Sequence, residues 1–174
     1  MRDLGRNQAG RKMADTADGT AGGLVIRSLS SEDAAQLAPL LGAYRAEMYP
    51  ALQIDSPRQE AAAALLSSQT AEIMGGFLDD KLSAFAIFFD LPEAISNGRA
   101  GQLDDLYVAA SARGQRLAQE MIDAITAIGR TRGWVHLRWL VPQNNEAALR
   151  AYERFAKAAP WKSYAVWFGD HASW

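Results

Sequence analysis

A chain of 174 residues holds enough material for one hydrophobic core but not for two independent ones. With 49% apolar and 22% charged residues it has the balance of a folded, water-soluble protein, which excludes wholesale disorder and fibrous repeats. A formal charge of −2 leaves no basic excess, so neither nucleic acid nor an anionic membrane surface is an expected partner.

Residues 1–23 are rich in Gly, Ala, Asp and Arg and lack apolar periodicity, so they read as a flexible tail before a single domain over 24–174. Leu24 to Arg27 reads as a short strand. Ser30 and Asp33 then stand at capping distance and open a helix, along which Leu37, Leu40, Leu41, Tyr44 and Met48 share one face. Pro39 should kink that helix or delay its start. Ser56 and Pro57, followed by Gln59, announce a second helix that runs to Leu65-Leu66. Two apolar strands, Ile73 to Leu78 and Leu82 to Phe89, flank Asp79-Asp80-Lys81 and predict an antiparallel hairpin.

Pro92 to Gly101 reads as loop and Leu103 to Val108 as strand. A helix follows from about Gln115 to Gly129, with Leu117, Met121, Ile125 and Ile128 on one stripe. Val135 to Val141 is a further strand, Glu146 to Lys157 a short helix, and Ser163 to Phe168 a last strand. The order β-α-α-β-β-β-α-β-α-β predicts an α/β (α+β) fold with a mixed, mostly antiparallel sheet of about six strands and four flanking helices.

The chain contains no cysteine, which removes disulfides, thiolate metal sites and thiol nucleophiles together. His136 and His171 are its only histidines, read as a sheet residue and a tail residue, so no metal is expected. No apolar run reaches the roughly 18 residues of a membrane span. The N-terminus carries basic residues but no apolar segment of the secretory kind, so a cytoplasmic location is expected.

Between Tyr107-Val108 and the helix stripe, a loop of small residues passes through Arg113-Gly114-Gln115-Arg116-Leu117-Ala118. A strand that turns into a helix in this way points free backbone N–H groups outward at the positive end of the helix dipole and so suits a phosphate. A solvated loop with two surface arginines has the same composition.

This run resembles the acyl-CoA pyrophosphate loop of the GNAT superfamily of N-acetyltransferases, in which Gln or Arg is followed, at fixed spacing, by Gly and then Gly or Ala. Arg113 and Ala118 match, whereas Arg116 replaces the middle glycine. Either the Arg116 side chain points away, or its guanidinium meets a CoA phosphate, or cofactor binding has been lost. A second run, from Trp139 to Phe155, is similar to the strand, Asn, helix and Tyr segment of the same superfamily, with Asn145, Ala148 and Tyr152 at the positions that line the CoA cleft. Ala156 stands where members usually have Gly. Leu103-Asp104-Asp105-Leu106-Tyr107-Val108 resembles the acidic strand of the diamine (spermidine/spermine) N-acetyltransferase branch.

The resemblance implies a GNAT-like acyl-CoA N-acyltransferase fold, acetyl-CoA as cosubstrate, and direct attack by a small-molecule primary amine in a ternary complex. It implies that backbone groups near Tyr107 and Val108 and the loop Arg113, Gly114, Gln115, Arg116, Leu117 and Ala118 hold the coenzyme, together with Asn145 and Ala148. Tyr152 is the implied general acid, although its spacing equally suits a buried structural tyrosine. Asp104 and Asp105 alternate across their strand, so one of them faces the cleft as base; Asp104 is preferred and Asp105 stays open. Arg27, Arg138 and Glu47 read as solvated surface, although the first helix borders the substrate pocket in this family and so offers Tyr44, Glu47 and Tyr49 to the substrate. Two rival readings remain, a protein or peptide N-acetyltransferase and a catalytically inactive GNAT-shaped module. A single convincing strand after the tyrosine helix leaves an edge that a second copy would cover, so a homodimer is expected.

Overall fold

The computed structural model describes residues 23–50, 58–166 and 168. The predicted tail, with the exception of Gly23, and the predicted cap Ser56-Pro57 lie outside the described residues. The chain divides after Leu137 into two units, taken here in turn.

In the first unit β1 (Leu24–Ser28), β2 (Ala71–Leu78), β3 (Lys81–Glu93) and β4 (Gly98–Val108) pair antiparallel in sequence order. The fifth strand, β5 (Trp134–Trp139), lies at the far edge of the sheet, beyond β4. The β2–β3 hairpin turns on Asp79-Asp80, both at positive φ (50° and 60°), the twist that a two-residue turn requires between right-twisted strands.

The segment expected to be loop between Pro92 and Gly101 instead extends β3 to Glu93 and starts β4 at Gly98. Its polar composition hid a hairpin whose tip is closed by one carboxylate: Glu93 accepts the Ser96 N–H at 2.7 Å and the Ser96 hydroxyl at 2.6 Å. Gly101 reads as a loop residue by composition, but in β4 it makes room for the Trp134 ring, which also packs on Gly129.

Helix α1 (Ala34–Met48) and helix α2 (Gln59–Leu66) cover one face of the sheet. Leu37, Ala38, Ala62, Ile73, Phe77, Phe85, Ile87 and Tyr107 form a shared core there. The capping signal is met, although Ser31–Asp33 forms a 3-10 turn before α1 begins. Pro39 does not delay the start; it sits inside α1, where it withholds one backbone donor. Helix α3 (Leu117–Arg132) starts two residues later than expected and runs three further, ending at Gly133 in the left-handed conformation. It buries Leu117, Met121, Ile122 and Ile125, and contacts β2, β3 and β4.

Arg27 is exposed, as expected, but it is not without partners. Its guanidinium grips Asp33 through two hydrogen bonds of 2.7 and 2.8 Å and lies 4.2 Å over the Phe77 ring. Asp33 also accepts the Ser30 N–H at 2.8 Å. The Arg27 bonds, against the opposing effect of burial, hold the Asp33 carboxyl down at about 2. A depressed folded-state value means that this stabilisation is complete above the unfolded value near 3.9 and fades as pH falls towards 2. Asp33→Asn should therefore cost about 1–2 kcal/mol in urea denaturation at neutral pH, with the difference from the parent protein shrinking in acid.

The second unit contains the end of β5 and helix α4 (Glu146–Tyr152). β5 is shifted from the expected Val135–Val141, and α4 stops at Tyr152 rather than Lys157, passing into a turn over 153–155. No sixth strand forms among the described residues: 163–166 are irregular, and Trp167 lies outside them. The apolar alternation at Tyr164, Val166 and Phe168 predicted a strand, but those side chains are exposed, with no sheet partner to draw them into strand pairing. No helix among the described residues is long and apolar enough to cross a membrane.

Candidate active site

The central feature of the first unit is a bulge in β4. Ile87 pairs with Asp105 and Phe88 with Leu103, so Asp104 is an extra residue without a partner on β3. Asp104 is exposed, with Gln102 within 3.4 Å of it. Asp105 and Tyr107, two apart, point together towards α1. Tyr44 donates its phenol proton to Asp105 Oδ1 at 2.7 Å, and Tyr107 donates to Glu47 Oε1 at 2.8 Å. The Tyr44 and Tyr107 rings lie 5.5 Å apart, and both pack on Phe85, at 5.7 and 5.9 Å.

The structure thus brings together two pairs about 60 residues apart in sequence, Tyr44 and Glu47 on α1 and Asp105 and Tyr107 on β4. Burial, with an added push from the charge of Asp104, raises the Asp105 carboxyl against the opposing Tyr44 bond. Burial and then the Asp105 carboxylate hold the Tyr44 phenol well above its ordinary range. Burial and the charge of Asp105 also raise Tyr49. Burial pushes Glu47 up, but the bonds from Arg113 and Tyr107 outweigh it and leave Glu47 below the usual range. Of the two carboxylates, Glu47 is compensated by a cation; Asp105 is hydrogen-bonded to a neutral phenol.

Arg113 was expected on the phosphate turn, but its side chain folds back. Its Nη2 meets Glu47 Oε2 at 2.5 Å, its Nε donates to the Val108 carbonyl at 3.1 Å, and its guanidinium lies 5.7 Å from the Tyr107 ring centre. The turn itself passes through two left-handed residues. Gly114 has φ +80° with open space around it, and Arg116 caps α3 at φ 62° with no side-chain hydrogen bond to the helix. Among the described residues the first-turn N–H groups of Leu117, Ala118 and Gln119 therefore have no side-chain cap from Arg116.

Arg116 thus holds the left-handed conformation that a glycine adopts freely. Among the described residues its guanidinium has no hydrogen bond or ion pair. Arg116→Gly should relieve strain and stabilise the fold by up to about 1 kcal/mol, read as a higher melting temperature. A lower melting temperature would show that the arginine side chain supports the turn.

In the second unit Asn145 caps α4, its Oδ1 accepting the Ala148 N–H at 3.1 Å. The spacing of these two residues is thus that of a helix cap and its third position. Tyr152 is half-buried between Trp139 and Phe155, edge-on to both at 5.4 and 6.0 Å. Burial raises its phenol, which keeps it protonated through the neutral range. Sequence reasoning quoted Trp139 and Phe155 as the ends of one run, and it missed Phe85 on β3, an apolar residue in an apolar strand with nothing to distinguish it. Among the described residues no cluster of metal-binding side chains occurs.

A profile of the acetyltransferase (GNAT) family matches residues 37–156. The chain also resembles the solved ribosomal-protein-alanine N-acetyltransferase from Brucella melitensis biovar Abortus 2308, with 35% identity over 84% of this chain and 99% of that one and a TM-score of 0.75. A structure described as a probable acetyltransferase shares 27% identity over 84% of this chain and 99% of the other, with a TM-score of 0.71. An aminoglycoside acetyltransferase from an uncultured soil metagenomic sample, solved with sisomicin, shares the fold at 16% identity over 84% of this chain and 95% of its own, with a TM-score of 0.70. No curated protein matches. The chain belongs to the GNAT acetyltransferase family and is an N-acetyltransferase, a class that uses acetyl-CoA as cosubstrate.

Proposed function

We propose that the enzyme transfers the acetyl group of acetyl-CoA to the primary amine of a small cationic molecule, by direct attack in a ternary complex. The observation that carries this reading is Asp105: a half-buried carboxylate, hydrogen-bonded to a neutral phenol beside an aromatic wall, attracts an ammonium group. The exposed charge of Asp104 on the same strand extends the negative field and supports a polyamine such as spermidine, in keeping with the branch that the acidic strand resembles.

In this reading the N–H groups of Leu117, Ala118 and Gln119 receive the diphosphate, with Gly114, Gln115 and Arg116 shaping the turn. The family resemblance gives Tyr107 and Val108, and separately Asn145 and Ala148, to the pantetheine. Tyr44 and Tyr49 flank the amine. Asp105 first takes one proton from the ammonium, which frees the nitrogen lone pair to attack the carbonyl carbon. Tyr152 gives its proton to the sulfur as the C–S bond breaks, and the second nitrogen proton, made acidic by the new C–N bond, passes through water to the Tyr152 phenolate, so the products are a neutral amide and CoA thiol with Asp105 protonated. No enzyme nucleophile is needed, which suits a chain without cysteine.

A second reading, acetylation of a protein N-terminal amine, is favoured by the 35% identical ribosomal-protein-alanine N-acetyltransferase. Incubation with acetyl-CoA and spermidine, an aminoglycoside or an alanine-initiated peptide, followed by mass spectrometry, separates the two. Acetylated spermidine or aminoglycoside with released CoA supports the first reading, reaction of the peptide alone selects the second, and no transfer to any amine refutes both. We further assign the enzyme to the cytoplasm and to a homodimer; the exposed apolar side chains of Trp161, Tyr164, Val166 and Phe168 support a covering second copy.

A further inference from the structure

Arg113 and Glu47 stand 66 residues apart and tie α1 to the start of the phosphate turn. Glu47 lies in the last turn of α1, one turn beyond Tyr44 and its partner Asp105. Arg113 lies three residues before the left-handed Arg116. The ion pair is open to water, with the two side chains 50% and 44% exposed, so it is weakly held. A diphosphate offers this guanidinium doubly charged, bidentate acceptors that a single exposed carboxylate does not match.

Glu47 has a second tether. Its Oε1 accepts the Tyr107 phenol proton, so losing Arg113 from Oε2 would leave the carboxylate held by Tyr107, two residues along β4 from Asp105, now without its cation. Arg113 likewise keeps its Nε bond to the Val108 carbonyl as a pivot.

We propose that Arg113 exchanges Glu47 for the diphosphate of acetyl-CoA, and that Glu47, freed of its cation, joins Asp105 in recognising the cationic amine. The inference rests on the functional reading above and adds to it a coupling between the two substrates. Glu47 competes with the coenzyme for Arg113 and is a specificity residue for the amine. Because such coupling is reciprocal, a bound amine strengthens coenzyme binding by the factor through which the coenzyme strengthens amine binding.

Calorimetric titration of the full chain with CoA tests the exchange in the parent protein, Glu47→Gln, Arg113→Gln and the double variant. Removing the competing carboxylate should tighten CoA binding by about five-fold or more, Arg113→Gln should weaken it, and adding Glu47→Gln to Arg113→Gln should change nothing further. Weaker CoA binding by Glu47→Gln would mean that the pair holds the turn in shape, and unchanged binding that Arg113 never leaves Glu47; either result overturns the exchange while leaving the acetyltransferase reading intact. A parent protein that binds no CoA would overturn both.

Discussion

Tyr152→Phe lowers kcat by about 100-fold or more while acetyl-CoA affinity and thermal stability stay close to those of the parent enzyme. The separation of the three quantities follows from where Tyr152 sits. Its ring is held edge-on by Trp139 and Phe155, contacts that phenylalanine keeps. Its hydroxyl has no hydrogen-bond partner among the described residues, so removing it leaves no orphaned group behind. Burial raises the phenol, so the acid form is fully populated wherever the enzyme works. What phenylalanine lacks is the proton for the departing sulfur. Stopped-flow detection of released thiol under saturating acetyl-CoA measures the change; a variant that loses coenzyme affinity in proportion to kcat would identify Tyr152 as structural.

Asp105→Asn should lower kcat/KM for the amine by about 100-fold or more, and it should raise the melting temperature at neutral pH. Opposite signs are expected because the carboxyl of Asp105 is raised by burial. A carboxyl whose folded value exceeds its unfolded value favours the fold when protonated and loses that contribution as pH rises, so the charged form works against the fold in the neutral range. Asparagine keeps the shape and an acceptor for Tyr44 but carries no charge. The parent enzyme should show an acidic limb in kcat/KM, with activity lost as pH falls through the raised Asp105 value; the variant should lack that limb. A variant with lower stability and an unchanged pH profile would assign Asp105 a packing role.

Most of the fold was legible because its signals are local. The Ser30–Asp33 cap, the stripe Leu117-Met121-Ile125 and the Asp79-Asp80 turn each fall within a few residues, and each stands where it was read. The errors share a cause too. The β3–β4 hairpin ends in residues of turn-like composition, which strand pairing overrides, and Tyr164, Val166 and Phe168 alternate like a strand without a sheet partner among the described residues. The candidate site was less legible than the fold. Alternation put Asp104 and Asp105 on opposite faces, but only the bulge opposite Ile87 and Phe88 determines that Asp105 turns to α1. The pairs Tyr44–Asp105, Tyr107–Glu47 and Arg113–Glu47 each join residues at least 60 apart, beyond any local pattern. Arg116 stood out as a departure from the coenzyme loop, while its positive φ, a property of the backbone, was visible only in three dimensions.

Equilibrium titration of the purified chain with acetyl-CoA bears most directly on this mechanism, since every role given to Asp105 and Tyr152 depends on a thioester delivered by the turn from Gly114 to Ala118. Saturable binding of one acetyl-CoA per chain, suppressed by added inorganic pyrophosphate, is the predicted result. No association at millimolar acetyl-CoA would contradict it.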